Sequence, residues 1–249
     1  MTTTHSTWLQ CTVSRTEPPR RLICFPHAGG SASFFRQWAR HLPEVEVHAV
    51  RYPGRAERID ERPPTDLRAL AGEIACALEP MADRPIALFG HSMGAVVALE
   101  TARTLEARGV QPFHLFASGS RDGVSPVRTA APDVADDDNT TIEQLVRLGG
   151  TDPKLAADPI FQELVLPYIL SDGRMFHAYV MEPEPRLHCS VTTIVGDADA
   201  DADQRGWSDL TLGEFCQQTL SGDHFYLVSD PPYALLRETL ERQSVPDDR

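Results

Sequence analysis

The chain predicts a doubly wound α/β domain on a mostly parallel sheet, and three observations carry that expectation. Short apolar runs alternate with helical patterns along most of the length, a rhythm that implies parallel strands joined by crossover helices. One of these strands runs through Gly-x-Ser-x-Gly straight into a helix. The 249 residues, 41% of them hydrophobic, suffice for the buried core of one large domain, 1–249, with an insertion at about 122–186.

Strands are expected at Leu22–Phe25, Val45–Val50, Ile86–Phe89, His114–Ala117, Val191–Val195 and Cys216–Leu220. Helical patterns cover Phe34–Leu42, Asp66–Met81 and Ala95–Arg108, the last closed by Gly109 in the position where helices commonly end. From about Asp122 to Arg186 the alternation breaks. A Pro/Asp-rich stretch, Pro126 to Asp138, precedes two helical patterns: Ile142–Leu148, ended by Gly149-Gly150, and Pro159–Val180. An insertion after a strand end sits over the edge of the sheet where sites form, so it is expected to act as a lid. Ser244–Arg249 reads as a frayed tail.

Composition removes several function classes. The net charge of −13 leaves no basic stripe able to dominate, which argues against nucleic acid as a partner. Five cysteines, Cys11, Cys24, Cys76, Cys189 and Cys216, are scattered, odd in number and without Cys-x-x-Cys spacing. Neither a disulfide framework nor a zinc site is expected, and a reduced, cytoplasmic setting fits. The N-terminus lacks a basic segment followed by an apolar one, and no run approaches the ~18 apolar residues of a membrane span. No export signal and no membrane partner are therefore expected.

The chemistry is concentrated in Gly90-His91-Ser92-Met93-Gly94. A serine on a sharp strand-to-helix bend exposes its hydroxyl above the sheet, and small residues either side allow the bend. Ser92 is thus the candidate nucleophile. It needs a base oriented by a carboxylate, and on such an elbow the chain order is Ser, then Asp or Glu, then His. Of the nine histidines, His114, His177, His188 and His224 follow Ser92. His224 alone follows a carboxylate cluster at a strand end, in Gly222-Asp223-His224-Phe225, and is the candidate base. The acid should end the preceding strand, where Gly196-Asp197-Ala198-Asp199-Ala200-Asp201 offers several aspartates. Asp199 is preferred because a Gly-x-x-Asp turn swings the fourth residue back over the sheet edge; Asp197 and Asp201 are rivals.

Acyl transfer also needs two oxyanion donors, one after the nucleophile and one from an earlier strand-end loop. Met93 N–H supplies the first. The second is assigned to Ala28 N–H in Phe25-Pro26-His27-Ala28-Gly29-Gly30, with Gly29 as runner-up and His27 as a structural loop residue.

Phe25-Pro26-His27-Ala28-Gly29-Gly30-Ser31-Ala32, Tyr52-Pro53-Gly54-Arg55, the Ser92 elbow, Gly196-Asp197-Ala198-Asp199 and Gly222-Asp223-His224-Phe225 together resemble the type II thioesterases, stand-alone enzymes found beside polyketide synthases and nonribosomal peptide synthetases. The resemblance covers nearly the whole chain. It implies an α/β-hydrolase fold with a helical lid, Ser92, Asp199 and His224 as triad, and Ala28 and Met93 as oxyanion donors. It also implies a monomer without a cofactor of its own, which hydrolyses acyl groups from the phosphopantetheine arm of acyl or peptidyl carrier proteins. One departure is that Asp199 is followed by Ala200, where members commonly carry proline.

Carrier proteins in such systems are, by the same resemblance, acidic, so docking to this acidic chain calls for a local positive patch or apolar contact. Arg51, Arg55, Arg58 and Arg62 are candidates for that patch, against pairing with Glu57, Asp60 and Glu61 beside them. A small-molecule esterase, an acyltransferase and a silent docking module on the same fold are the alternative readings. The Pro-His-Ala-Gly-Gly loop differs from the His-Gly-Gly-Gly loop of many lipases, and a scaffold has no physical need for the trio.

Overall fold

The computed structural model describes residues 7–120, 154, 157–200 and 206–242. Seven strands form one sheet: β1 (Leu9–Cys11), β2 (Arg21–Phe25), β3 (Glu46–Val50), β4 (Ile86–His91), β5 (His114–Ser118), β6 (Ser190–Gly196) and β7 (Phe215–Leu220). Their spatial order is β1-β3-β2-β4-β5-β6-β7. Only β1 is antiparallel; every other pair is parallel. Six strands answer the six expected from sequence to within two residues at each end. The seventh, β1, is a three-residue edge strand, too short to show alternation.

The helices are α1 (Trp38–His41), α2 (Leu67–Leu78), α3 (Met93–Ala107), α4 (Pro159–Leu164), α5 (Leu166–Ala178), α6 (Tyr226–Ser229) and α7 (Tyr233–Arg242). Asp66 caps α2 by accepting from the Ala69 amide at 2.8 Å, which satisfies one orphan donor of the first turn. The pattern Phe34–Leu42 resolves into a 3₁₀ turn, Ala32–Phe35, and the single turn of α1. Pro159–Val180 is two helices rather than one. They meet at Val165, just ahead of Pro167, whose ring clashes with the carbonyl four residues back and so forbids a continuous helix. The Ile142–Leu148 pattern and the tail lie outside the described residues.

Alternation along β2 shows how the layers form. Ile23 and Phe25 face a cluster with Leu70, Ile74, Val97 and Leu99 from α2 and α3. Leu22 and Cys24 face Phe35, Trp38, Leu236 and Leu240 on the other side. Helices therefore cover both faces, and each buried aliphatic or aromatic side chain contributes about 1.5–3 kcal/mol. No helix among the described residues is long and apolar enough to cross a membrane.

From β2 the chain moves outward to β3, then returns to place β4 on the opposite side of β2. Such a reversal opens a crevice beyond the carboxyl ends of the two strands. Register aligns the ends: Phe25 pairs with Gly90, His91 with Ser118, and Gly196 with Leu220. The loops after β2, β4, β6 and β7 thus share one edge of the sheet.

Two glycines permit the closest approach there. A Cβ on Gly90 would lie 2.1 Å from the Gly94 carbonyl oxygen, and one on Gly94 would lie 2.2 Å from that of Phe25. Both obstacles are backbone, so neither can turn aside. Gly94→Ala is expected to cost about 3 kcal/mol through overpacking, read as a fall of about 6 °C or more in Tm. Gly72→Ala in α2, where a Cβ meets nothing within 4 Å, should leave Tm unchanged or raise it slightly.

Candidate active site

Ser92 sits between β4 and α3 with φ 55 and ψ −121, a conformation that costs about 1–3 kcal/mol for a residue with a side chain. Its surroundings hold it there. The Ser92 amide donates to the Ser118 carbonyl at the end of β5 (2.8 Å), and the Ser92 carbonyl accepts from the Ala95 amide (3.0 Å). His91 Nδ1 lies 3.0 Å from Ser118 Oγ, which in turn lies 2.8 Å from the Tyr226 hydroxyl. Met93 opens α3, so its amide has no acceptor within the helix.

The turns after β6 and β7 are zipped together by backbone contacts. The Asp197 amide donates to Leu220 O (2.7 Å) and the Ala198 amide to Gly222 O (2.9 Å). Asp197 Oδ1 accepts from the Gly222 amide at 2.9 Å. Asp197 is thereby spent on the turn. Gly196 makes the contact possible, because a Cβ there would lie 2.3 Å from both the Gly222 and Asp223 carbonyl oxygens. Across this junction Asp199 Oδ2 meets His224 Nδ1 at 2.8 Å, with the two side chains 1% and 8% exposed. Of the rival aspartates, Asp201 lies outside the described residues.

Ser92 Oγ makes no hydrogen bond to His224 in this arrangement. The elbow and the His224 loop meet through their neighbours. The His91 ring centroid is 5.0 Å from that of His224, and a Cβ on Gly119 would lie 3.4 Å from His224 Cε1.

His27 closes the other side, edge-on to Phe34 at 4.8 Å and to Phe225 at 4.9 Å, with His91 at 5.9 Å. Burial, reinforced by His224 and Arg55, pushes its pKa down to about 3. Burial, followed by His224 and His27, holds His91 well below the usual range too. Both imidazoles are neutral at physiological pH.

The turn after β2 is gripped from outside. The Gly29 amide donates to Asp172 Oδ2 at 2.8 Å, so of the two amides expected as donors from this turn, Gly29 is already engaged within the chain. Asp172, on α5, is wholly buried. Arg55 binds it through both terminal nitrogens at 2.5 Å and reaches Gly30 O at 3.2 Å.

That arrangement takes Arg55 and Arg58 out of the expected docking patch, while Arg62 is exposed and Arg51 half-buried. Arg55 is 2% exposed and Arg58 8%. Arg58 donates twice to Glu61 (2.7 and 2.5 Å) and once to the Arg51 carbonyl (2.8 Å), and covers the Trp8 ring at 4.0 Å. Neither guanidinium faces a partner, since each has a closer acid within the chain.

Asp172 had no local signal; 117 residues separate it from Arg55. Among the described residues one trio could offer metal ligands, Cys11, Glu46 and His48, within 4.8 Å of one another. It stands at the β1–β3 edge, where Glu46 already accepts from His48, Arg21 and the Arg15 amide. A guanidinium there occupies the place of a cation.

The topology, the strained serine and the paired acid and histidine turns define a member of the α/β-hydrolase class. Within it, the chain belongs to the thioesterase family, since the thioesterase domain model matches residues 20–242. It is 41% identical over 216 residues to thioesterase PikA5 of Streptomyces venezuelae, covering 83% of this chain and 75% of that one. It is 40% identical over 211 residues to a probable cadicidin biosynthesis thioesterase of Streptomyces griseus, covering 83% of this chain and 58% of that longer protein. Among solved structures it resembles the type II thioesterase BorB of the borrelidin biosynthetic cluster, with a TM-score of 0.84, 35% identity and coverage of 94% and 97%.

The neutral histidines make a testable demand on stability. Below their ordinary pKa near 6.5 the unfolded chain protonates them while the fold does not, so stability is fully present above pH 6.5 and falls as pH drops. His27 goes on costing stability until its folded value near 3. Urea unfolding between about pH 5.5 and 4.5 should show His27→Gln with a pH slope shallower by about 1.3 kcal/mol per unit. An unchanged slope refutes a neutral His27.

Proposed function

We propose that the chain is a type II thioesterase: a serine hydrolase that removes acyl groups from the phosphopantetheine arm of acyl or peptidyl carrier proteins in polyketide or nonribosomal peptide synthesis, clearing stalled or misprimed units. The observation that carries this is the Asp199–His224 pair beside a serine held at positive φ. The biosynthetic settings in the names of its relatives support the substrate class.

In this reading His224 Nε2 takes the Ser92 proton as Oγ attacks the thioester carbonyl. Asp199 fixes the tautomer by accepting from Nδ1–H, and stabilises the imidazolium that results. The Met93 and Ala28 amides hold the oxyanion. The C–S bond breaks as the imidazolium gives its proton to the pantetheine sulfur, which leaves as the thiol. Water, losing a proton to the same imidazole, then attacks the acyl-serine, and the proton passes to Ser92 Oγ as the acid is released. Each step uses a group of the chain itself. Helices α4 and α5 belong to the insertion after β5 and act as the lid. Ile169 of α5 lies over Gly29, within 2.6 Å of where a Cβ would stand, so the helix covers the oxyanion turn.

Ser92→Ala is expected to abolish release of free acid from acyl-carrier protein with Tm preserved; activity within a few fold of wild type refutes the mechanism. Asp199→Asn should lower kcat about 10³–10⁴-fold by disturbing the tautomer. Asp197→Asn, which touches only the turn, should cost less than about 10-fold, and the reverse order reassigns the acid. Faster turnover of p-nitrophenyl esters than of acyl-carrier protein favours the esterase reading.

A further inference from the structure

The turn after β2 offers adjacent amides from Ala28 and Gly29, yet one oxyanion needs only one donor from this side. The choice between them is made by a helix far away in the chain. Asp172 takes the Gly29 amide at 2.8 Å, and the same Oδ2 accepts from Arg55 Nη1 while Oδ1 accepts from Nη2. Arg55 then donates to the Gly30 carbonyl at 3.2 Å. These bonds hold the peptides on either side of Gly29–Gly30, and the Gly30 amide donates to the His27 carbonyl at 2.9 Å, which ties the peptide that carries the Ala28 amide.

The Arg55 end of the clamp is also packed against aromatic rings. The Arg55 guanidinium lies between the Tyr52 ring at 5.3 Å and the Tyr168 ring at 4.9 Å. The Tyr52 hydroxyl donates to Pro26 O at 3.2 Å. A buried ion pair is seldom the most stabilising way to fill such a volume, since apolar replacements are often neutral or better. Packing alone therefore gives no reason for charge here. An acceptor aimed at one amide does.

We propose that Asp172 is a positioning residue of the oxyanion hole, drawing the Gly29 amide outward so that the Ala28 amide faces the carbonyl attacked by Ser92, while Arg55 supplies the counter-charge that lets a carboxylate be buried there. The proposal rests on the thioesterase reading above. It assigns the lid helix α5 a part in the chemistry, through the orientation of a peptide it does not itself contain.

Two double variants isolate the hydrogen bond from the ion pair. Arg55→Met with Asp172→Asn removes both charges and keeps an oxygen that accepts from Gly29. Arg55→Met with Asp172→Leu removes the acceptor as well. With acyl-carrier protein as substrate, the Asn variant should keep kcat within about 10-fold of wild type. The Leu variant should lose about 10²–10³-fold in kcat, the worth of one oxyanion donor, with KM within about 3-fold. Its affinity for an alkyl trifluoromethyl ketone, which becomes tetrahedral on Ser92, should fall in parallel. Labelling by a fluorophosphonate counts the folded, competent fraction, and kcat is expressed per labelled site. Equal kcat for the two variants overturns the proposal. So does loss of kcat in the Leu variant without weaker binding of the ketone. If Ser92→Ala remains active, the reading of the site fails instead, a result independent of the clamp.

Discussion

Everything at the site depends on how closely the start of α3 can approach the ends of β2 and β4. Gly90 and Gly94 allow backbone to lie against backbone, at separations where any Cβ would overlap a carbonyl. Ser92 is left with a positive φ between them, held by a hydrogen bond to Ser118. The strain is a local cost met by the surrounding core, and it exposes the hydroxyl on the side where the loops after β2, β6 and β7 converge.

The second pair of turns solves a different problem. Asp199 and His224 stand on separate strands, but the backbone zipper from Asp197 to Gly222 makes their loops one body. Gly196 does for this junction what Gly94 does for the elbow. Their mutual geometry is therefore set by main-chain hydrogen bonds and is insensitive to most side-chain changes nearby.

Much of this was legible in the sequence because it is local. Glycines flanking Ser92, the order of serine, aspartate and histidine, and the short strands all announce themselves within a few residues. The preference for Asp199 over Asp197 follows from turn geometry, and the structure brings Asp199 to His224 while engaging Asp197 elsewhere. The clamp was illegible for the opposite reason. Acids adjacent to Arg55 offered themselves as partners, Arg58 did take Glu61, and nothing in a linear reading connects Arg55 to a carboxylate on α5. Pairing between distant charges is decided by which loops the fold brings together. The division of Pro159–Val180 into two helices is an intermediate case, since Pro167 is visible in the chain while the apolar pattern runs across it.

His27, His91 and His224 form a cluster of three rings around Phe225. Two of them, His27 and His91, are held uncharged chiefly by their burial, with His224 and, for His27, Arg55 or, for His91, His27 adding to it. The two neutral rings form a polarisable wall against the loop that carries His224, filling space there without adding a positive charge.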